Sequence, residues 1–393
     1  MYNFLSLYQN KEFKMIKLSI VTALAVSIAL AGGDISPIES ISVATPPIAV
    51  NDCHKSTTIA GKLQGYYYTW EGEDLFKKES SQLATAATLD ISHTFFDGLS
   101  ANFTAVGYTN VMNKKAGYLE EHKDGAFFNV ANLTASFWDT TLIAGRQLID
   151  SPMFGSFDWL LAPSAFEAYT VINKSITNLT LVGTYVTKIR PNNTGDNFLK
   201  LTNKEDGDQY ALGANYATDA FNASLWYYNI DVADYTQVYG DVGYDFGTVS
   251  VAGQVASTNY KTGLDSMAYA AKISTKISNI NLMAALSSVS DKSAGLVERD
   301  NFYTSSWNTF ASSIAIENED TLSWKLGASA VFSDLNTEIS YAGYGDDGSE
   351  FDFIVGYDVT KSVNFGAIFT STTQNASDAK ASNALEVIGT YTF

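Results

Sequence analysis

From Ile59 to Phe393 the chain alternates apolar and polar residues in short runs. Leu83, Thr85, Ala87, Leu89 and Ile91 share one parity, with Gln82, Ala84, Thr88, Asp90 and Ser92 on the other. Val363, Phe365, Ala367 and Phe369 oppose Asn364, Gly366 and Thr370 in the same way, and Leu322, Trp324, Leu326 and Ala328 oppose Ser323, Lys325, Gly327 and Ser329. This is the period of a β-strand with two different faces. Eighteen such runs follow one another, the first at 59–70 and the last at 384–393. Each is about ten residues long, the length that a tilted strand needs to cross a bilayer.

The connections alternate as well. Phe96-Asp97-Gly98, Asp139-Thr140, Asp219-Ala220 and Asp334-Leu335 are tight turns, whereas 112–126, 149–165, 189–207 and 290–320 are long. An even strand number with short turns at one end and long loops at the other predicts a closed antiparallel transmembrane β-barrel, all-β, with periplasmic turns and extracellular loops. Charge placement agrees. Lys62, Asp90, Lys188, Asp241, Lys272, Lys325, Glu338, Asp352 and Glu386 fall on the polar parity, which would spare the lipid face a cost of roughly 2–4 kcal/mol per charge at mid-bilayer. Arg146 is the exception, sharing parity with Leu142, Ala144 and Leu148. Either its strand bulges there or Ile143 and Gly145 are the outward residues. No proline follows Pro191, as expected where every strand is paired on both sides.

The N-terminus carries an export signal. Lys11, Lys14 and Lys17 precede an uncharged stretch, Leu18 to Ala31, ending in Ala29-Leu30-Ala31. That run is too short for a membrane-spanning helix and has the three regions of a secretory signal peptide. The expected organisation is an extension and signal over 1–31, an irregular periplasmic lead-in over 32–58 and the barrel over 59–393. Composition narrows the function. Charged residues are 17% of the chain, aromatics 13%, and the formal net charge is -18. Such an acidic balance excludes a basic nucleic-acid footprint. One Cys and three His leave no disulfide framework and no Cys- or His-rich metal site, and nothing in the sequence calls for a cofactor.

A further set of motifs is more specific. Gly145-Arg146-Gln147-Leu148, Phe157-Asp158-Trp159-Leu160-Leu161-Ala162-Pro163, Phe166-Glu167-Ala168-Tyr169, Leu179-Thr180-Leu181 and Tyr185-Val186-Thr187-Lys188 occur in this order. Together they resemble the OprD-type outer-membrane porins, in particular those of epsilonproteobacteria. The resemblance implies a diffusion channel in the outer membrane of a Gram-negative bacterium, a homotrimer, and a loop that narrows the pore. Members often line one wall with a basic ladder for carboxylate-bearing solutes. This chain has only Arg146, Arg190 and Arg299, which argues against that specificity.

The connection 149–165 is apolar for an external loop, with Met153, Phe154, Phe157, Trp159, Leu160 and Leu161. It is expected to fold into the barrel, with Asp150 and Asp158 facing the channel; the alternative is a loop that caps the rim or grips a neighbouring subunit. Charges opposing it would set selectivity: Lys62, Asp90, Lys188, Arg190, Asp241, Lys272 and Lys325, with Arg146 undecided. Tyr66 and Tyr68 share the lumen parity of Lys62 and could offer solutes a sliding surface, while Trp70, Trp138, Trp226 and Tyr227 are expected in the interfacial girdles. The chain ends on Leu385, Val387, Gly389, Tyr391 and Phe393 at one parity, a signal read by barrel-assembly machinery, with Tyr391 and Phe393 as its core. Outer-membrane lipid, lipopolysaccharide and small hydrophilic solutes complete the expected partners. The net charge favours cations. A barrel enzyme would need a nucleophile and base in register, but His93 sits beside Phe95 while Ser100 reads as lumen-facing. An adhesin remains as a third reading.

Overall fold

The computed structural model describes residues 55–69, 75–112, 119–120, 124–201, 207–316, 321–374 and 381–393. The signal segment and most of the lead-in, with Trp70, lie outside these residues. Eighteen long strands are present. The first six are β1 (Ser56–Thr69), β2 (Ser81–Phe96), β3 (Leu99–Met112), β4 (Gly125–Phe137), β5 (Thr140–Gln147) and β6 (Ala165–Ile176). They are followed by β7 (Leu179–Arg190), β8 (Gln209–Ala217), β9 (Phe221–Ile230), β10 (Tyr235–Asp245), β11 (Val249–Tyr260) and β12 (Ser266–Ile277). The last six are β13 (Ile280–Val289), β14 (Thr321–Phe332), β15 (Leu335–Tyr344), β16 (Gly348–Thr360), β17 (Val363–Gln374) and β18 (Ser382–Thr392). A two-residue segment, Leu199–Lys200, pairs beside the end of β7.

Each strand is antiparallel to its neighbours in sequence, and β1 pairs with both β2 and β18. The sheet is therefore a closed barrel of eighteen staves. At the seam, Gly61 N–H donates to Phe393 O and Phe393 N–H to Gly61 O, both at 3.0 Å. Turns of two or three residues join the strands at the end where β1 begins and β18 finishes, and loops of up to 31 residues, at 290–320, join them at the other. Several tight turns use left-handed backbone, including Gly98, Asn178 and Gly247, which supplies the twist a hairpin needs.

Leu63, Leu89, Leu133, Leu225, Leu286, Leu326 and Phe365 are exposed on the outer wall. The opposite parity is buried: Tyr66, Ala84, Val106, Tyr228, Tyr239, Ala268 and Tyr344 join one apolar cluster with residues of the long loops. The core of this protein is the filled interior of its barrel.

Register shifts occur at several strand pairs, and two places bear on the charges predicted for the pore. Between β6 and β7, Ala168 pairs with Val186 but Glu167 with Lys188, so Thr187 is an extra residue. A β-bulge of this kind reverses the facing of everything beyond it. Lys188 consequently shares the outward face of Glu167 and does not reach the lumen, contrary to the parity expectation. Arg146 pairs with Ala131 and Glu167 in an unbroken register and is outward together with exposed Leu142; neither expected rescue occurs. Gly145 beside it has φ +121°, and a Cβ there would lie 2.3 Å from the Ala131 carbonyl oxygen. Only glycine tolerates that approach of β4 to β5.

Leu326 lies near the middle of β14 and is exposed on the outer wall. Leu326→Arg is expected to lower stability by about 2–4 kcal/mol, measured by urea unfolding of the barrel inserted in lipid vesicles.

Candidate functional site

The connection 148–164 leaves β5 and turns into the barrel. It is a compact structure held by its own bonds: Ser156 N–H donates to Ile149 O at 2.7 Å and Ser164 N–H to Phe157 O at 3.0 Å. Its apolar residues Met153, Phe154, Trp159 and Leu161 are buried. Its reach across the lumen is read from its partners. Met153 N–H donates to the Tyr228 hydroxyl of β9 at 3.3 Å. Trp159 packs edge-on against Tyr68 of β1 at 6.1 Å, and its indole N–H donates to Glu386 of β18 at 3.2 Å.

The described part of a second connection, 290–316, also lies inside, against the expectation that it is external. Gln254 of β11 donates to Asn301 O at 2.6 Å, Lys325 Nζ of β14 to Ser305 O at 2.7 Å, and the Tyr344 hydroxyl of β15 to Thr304 O at 3.0 Å. Further along, Asn308 N–H donates to Glu350 at 2.6 Å and Trp307 N–H to Asp352 at 3.3 Å. Within this loop Asp300 is enclosed, accepting from Phe302 N–H, Ser312 N–H and the Ser305 hydroxyl. Burial pushes its carboxyl above the usual range, against those donors, which pull it down.

The two loops form one body. Phe154 and Val297 make a parallel bridge, Val297 N–H donates to Met153 O at 2.9 Å, and Arg299 pairs with Asp150 at 2.5 Å. Glu386, fully buried, ties both to the wall, accepting from the Tyr66 hydroxyl, the Trp159 indole and the Trp307 indole.

The charges predicted to line the pore divide into three groups. Lys62, Asp90, Asp241 and Lys272 stand on the lumen wall. Asp90 accepts from Thr104 at 2.5 Å, Asp241 accepts from Ser224, and Lys272 lies over the Tyr303 ring of the second loop at 4.3 Å. Asp150 is 78% exposed on the first loop, and Asp158 is half-buried there. A second group faces the lumen or its mouth but is sealed. Lys325 is covered by the second loop. Arg190 is completely enclosed by Glu120 at 2.7 Å, the Phe127 ring at 4.0 Å and the Pro163 carbonyl at 3.2 Å. Arg146 and Lys188 form the third group, outside the barrel.

The aromatic expectations change similarly. Tyr66 and Tyr68 lie buried beneath the first loop, so they offer no sliding surface. Trp226 is inside, stacked on Tyr228 at 6.0 Å, and is not a girdle residue. Trp138, at a short turn, and Tyr227 do face outward. His93 follows the outward parity while Ser100 faces in, so the wall separates them. Arg299 and Glu386 were absent from the predicted pore set. The signal was present in the apolar residues Leu296, Val297, Phe302, Trp307 and Phe310 of the second loop, the same signature that marked the first.

Comparison with solved structures agrees with this architecture. OccD3 (OpdP) of Pseudomonas aeruginosa superposes with a TM-score of 0.69 at 17% identity, covering 88% of this chain and 93% of its own. A BenF-like porin of Pseudomonas fluorescens Pf-5 gives 0.71 at 15% identity, covering 86% and 98%. OccAB4 of Acinetobacter baumannii gives 0.71 at 14%, with the same coverages. At such identities the likeness carries the fold. No curated protein sequence matches the chain. Residues 112–296 match the family described as outer membrane porin, OprD family. The chain is an outer-membrane porin whose residues 112–296, just under half of its length, are similar to the OprD family. It forms a channel for small solutes across the outer membrane of a Gram-negative bacterium, and the two inward loops are what a solute meets in its lumen.

Two predictions test how this porin holds its loops. Glu386→Ala leaves the buried Trp159 indole N–H without its acceptor, at about 1–3 kcal/mol, and also frees the half-buried Trp307 indole N–H. Larger and noisier single-channel currents are expected. Arg190→Met removes the guanidinium that meets the buried Glu120 carboxylate at 2.7 Å, and a loss of about 3–5 kcal/mol is expected in the stability measured by urea unfolding of the refolded barrel.

Proposed function

We propose that this porin passes ions and small hydrophilic solutes by passive diffusion, with a weak preference for cations. One observation carries the reading: the lumen-facing charges include Asp90, Asp150, Asp158, Asp241 and Glu338 against Lys62, Lys272, Lys276 and Arg299, an acidic balance in line with the net charge of -18. In a narrow aqueous path such fixed charges decide which ion enters. Specificity for carboxylate-bearing solutes is the weaker alternative, because Arg146 faces outward and Arg190 is sealed by Glu120. A basic ladder in the lumen then has Arg299 alone among the arginines, and Arg299 is paired with Asp150.

The remaining parts of the reading fit the same function. Residues 1–31 direct export and are removed, and the C-terminal strand with Tyr391 and Phe393 addresses the chain to barrel-assembly machinery. Both rings are exposed on the outer wall and stacked at 6.1 Å, where a receptor can read them. The barrel works as a homotrimer without a cofactor and catalyses no reaction.

Planar-bilayer recording under a salt gradient tests selectivity and assembly together. A reversal potential of the cation-selective sign is expected, with conductance steps in groups of three. Asp150→Asn with Asp241→Asn should move the reversal potential toward anion preference, and Lys272→Gln should move it the opposite way. An anion-selective wild type would overturn the proposal, and so would indifference to all three substitutions.

A further inference from the structure

The outward residues at the long-loop end of β5 to β7 include charges, which is unusual for a wall against lipid. Arg146 pairs across strands with Glu167, Glu167 with Lys188, and Lys188 with Lys200 of the two-residue segment. These four positions form one straight row, with three cations and one carboxylate. Lys188 and Glu167 are in contact at 2.9 Å. Arg146 donates to the Phe128 carbonyl oxygen at 3.0 Å and lies over the Phe198 ring at 4.0 Å. Lys200 is exposed, and among the described residues no carboxylate pairs with it.

The depth of the row identifies its surroundings. Arg146 and Lys188 lie within the last three residues of β5 and β7, and Glu167 within the first three of β6. Charges on the outer face of a barrel cost little there and much at the midplane. Directly below, the same face carries exposed Tyr169 and Val171, a surface for acyl chains. Like charges facing each other across a strand pair, as at Lys188 and Lys200, are unfavourable unless an anion lies between them. The bulge at Thr187 is what turns Lys188 outward into this row.

We propose that this row is a docking site for a phosphate-bearing lipid of the outer leaflet, its phosphate held by Lys188 and Lys200 and its acyl chains on Tyr169 and Val171. The site rests on the reading of the chain as an outer-membrane porin, and it lies outside the channel. Charge complementarity selects the occupant, since cations near a membrane surface recruit anionic lipid.

The test is native mass spectrometry of the refolded full barrel in detergent, offered phosphorylated lipid A or the same glycolipid with its phosphates removed. Wild type should retain the phosphorylated form about ten-fold or more over the other. Lys188→Gln with Lys200→Gln should abolish that preference and leave single-channel conductance unchanged. Lys200→Gln alone, on the short segment, should reduce it if the double variant does not insert. Equal retention of both lipids by wild type would overturn the proposal, as would an unaltered preference in the variants. So would variants that lose their oligomer while keeping the lipid preference, because the row would then lie between copies of this chain. A barrel that binds the lipid but never conducts would sink the porin reading and leave the site standing.

Discussion

Hydrocarbon offers no water to a peptide group, so every N–H and C=O that crosses the membrane needs a partner within the protein. For strands this demand is met only when the sheet has no edge. The seam between β1 and β18 is where the chain meets it, and the paired bonds of Gly61 with Phe393 extend the closure to the final residue. The rest follows from that closure. Outward side chains are apolar because they meet lipid, and inward ones are freed to be polar, aromatic or charged.

Closure also creates a problem of volume. A ring of eighteen strands encloses far more space than its own side chains fill, and two loops occupy it. They pack Trp159, Phe154, Phe302 and Phe310 against the wall aromatics Tyr66, Tyr228 and Tyr344. Burying that apolar surface is favourable at roughly 25 cal/mol per Å², and it leaves polar anchors that have to be satisfied. Glu386, Glu350 and Asp352 on the wall serve as acceptors for loop N–H groups, while Lys325 serves as a donor to a loop carbonyl. The same anchors fix where the passage runs, since they decide which wall charges are covered and which remain wet.

One extra residue shows how finely facing is controlled. Without the bulge at Thr187, Lys188 would sit on the lumen side with Val186; with it, Lys188 meets Glu167 outside. An insertion of one residue in a strand moves a charge from water to the lipid boundary, a change with consequences for selectivity on one side and for membrane contact on the other.

The period-two pattern was enough to place all eighteen strands, the direction of the turns and the outward apolar face, because those features depend on each residue's own neighbours in sequence and on the solvent each face meets. It was also enough to mark the 149–165 connection as unusual. It did not determine Arg146, Lys188 or Trp226, nor the inward path of 290–316. Parity is lost at a bulge, which leaves no mark in composition. Whether an arginine lines water or is sealed, as Arg190 is by Glu120 and Phe127, depends on loops distant in sequence. The local pattern therefore determined the wall, and only packing across the lumen decided which of its charges a solute can meet.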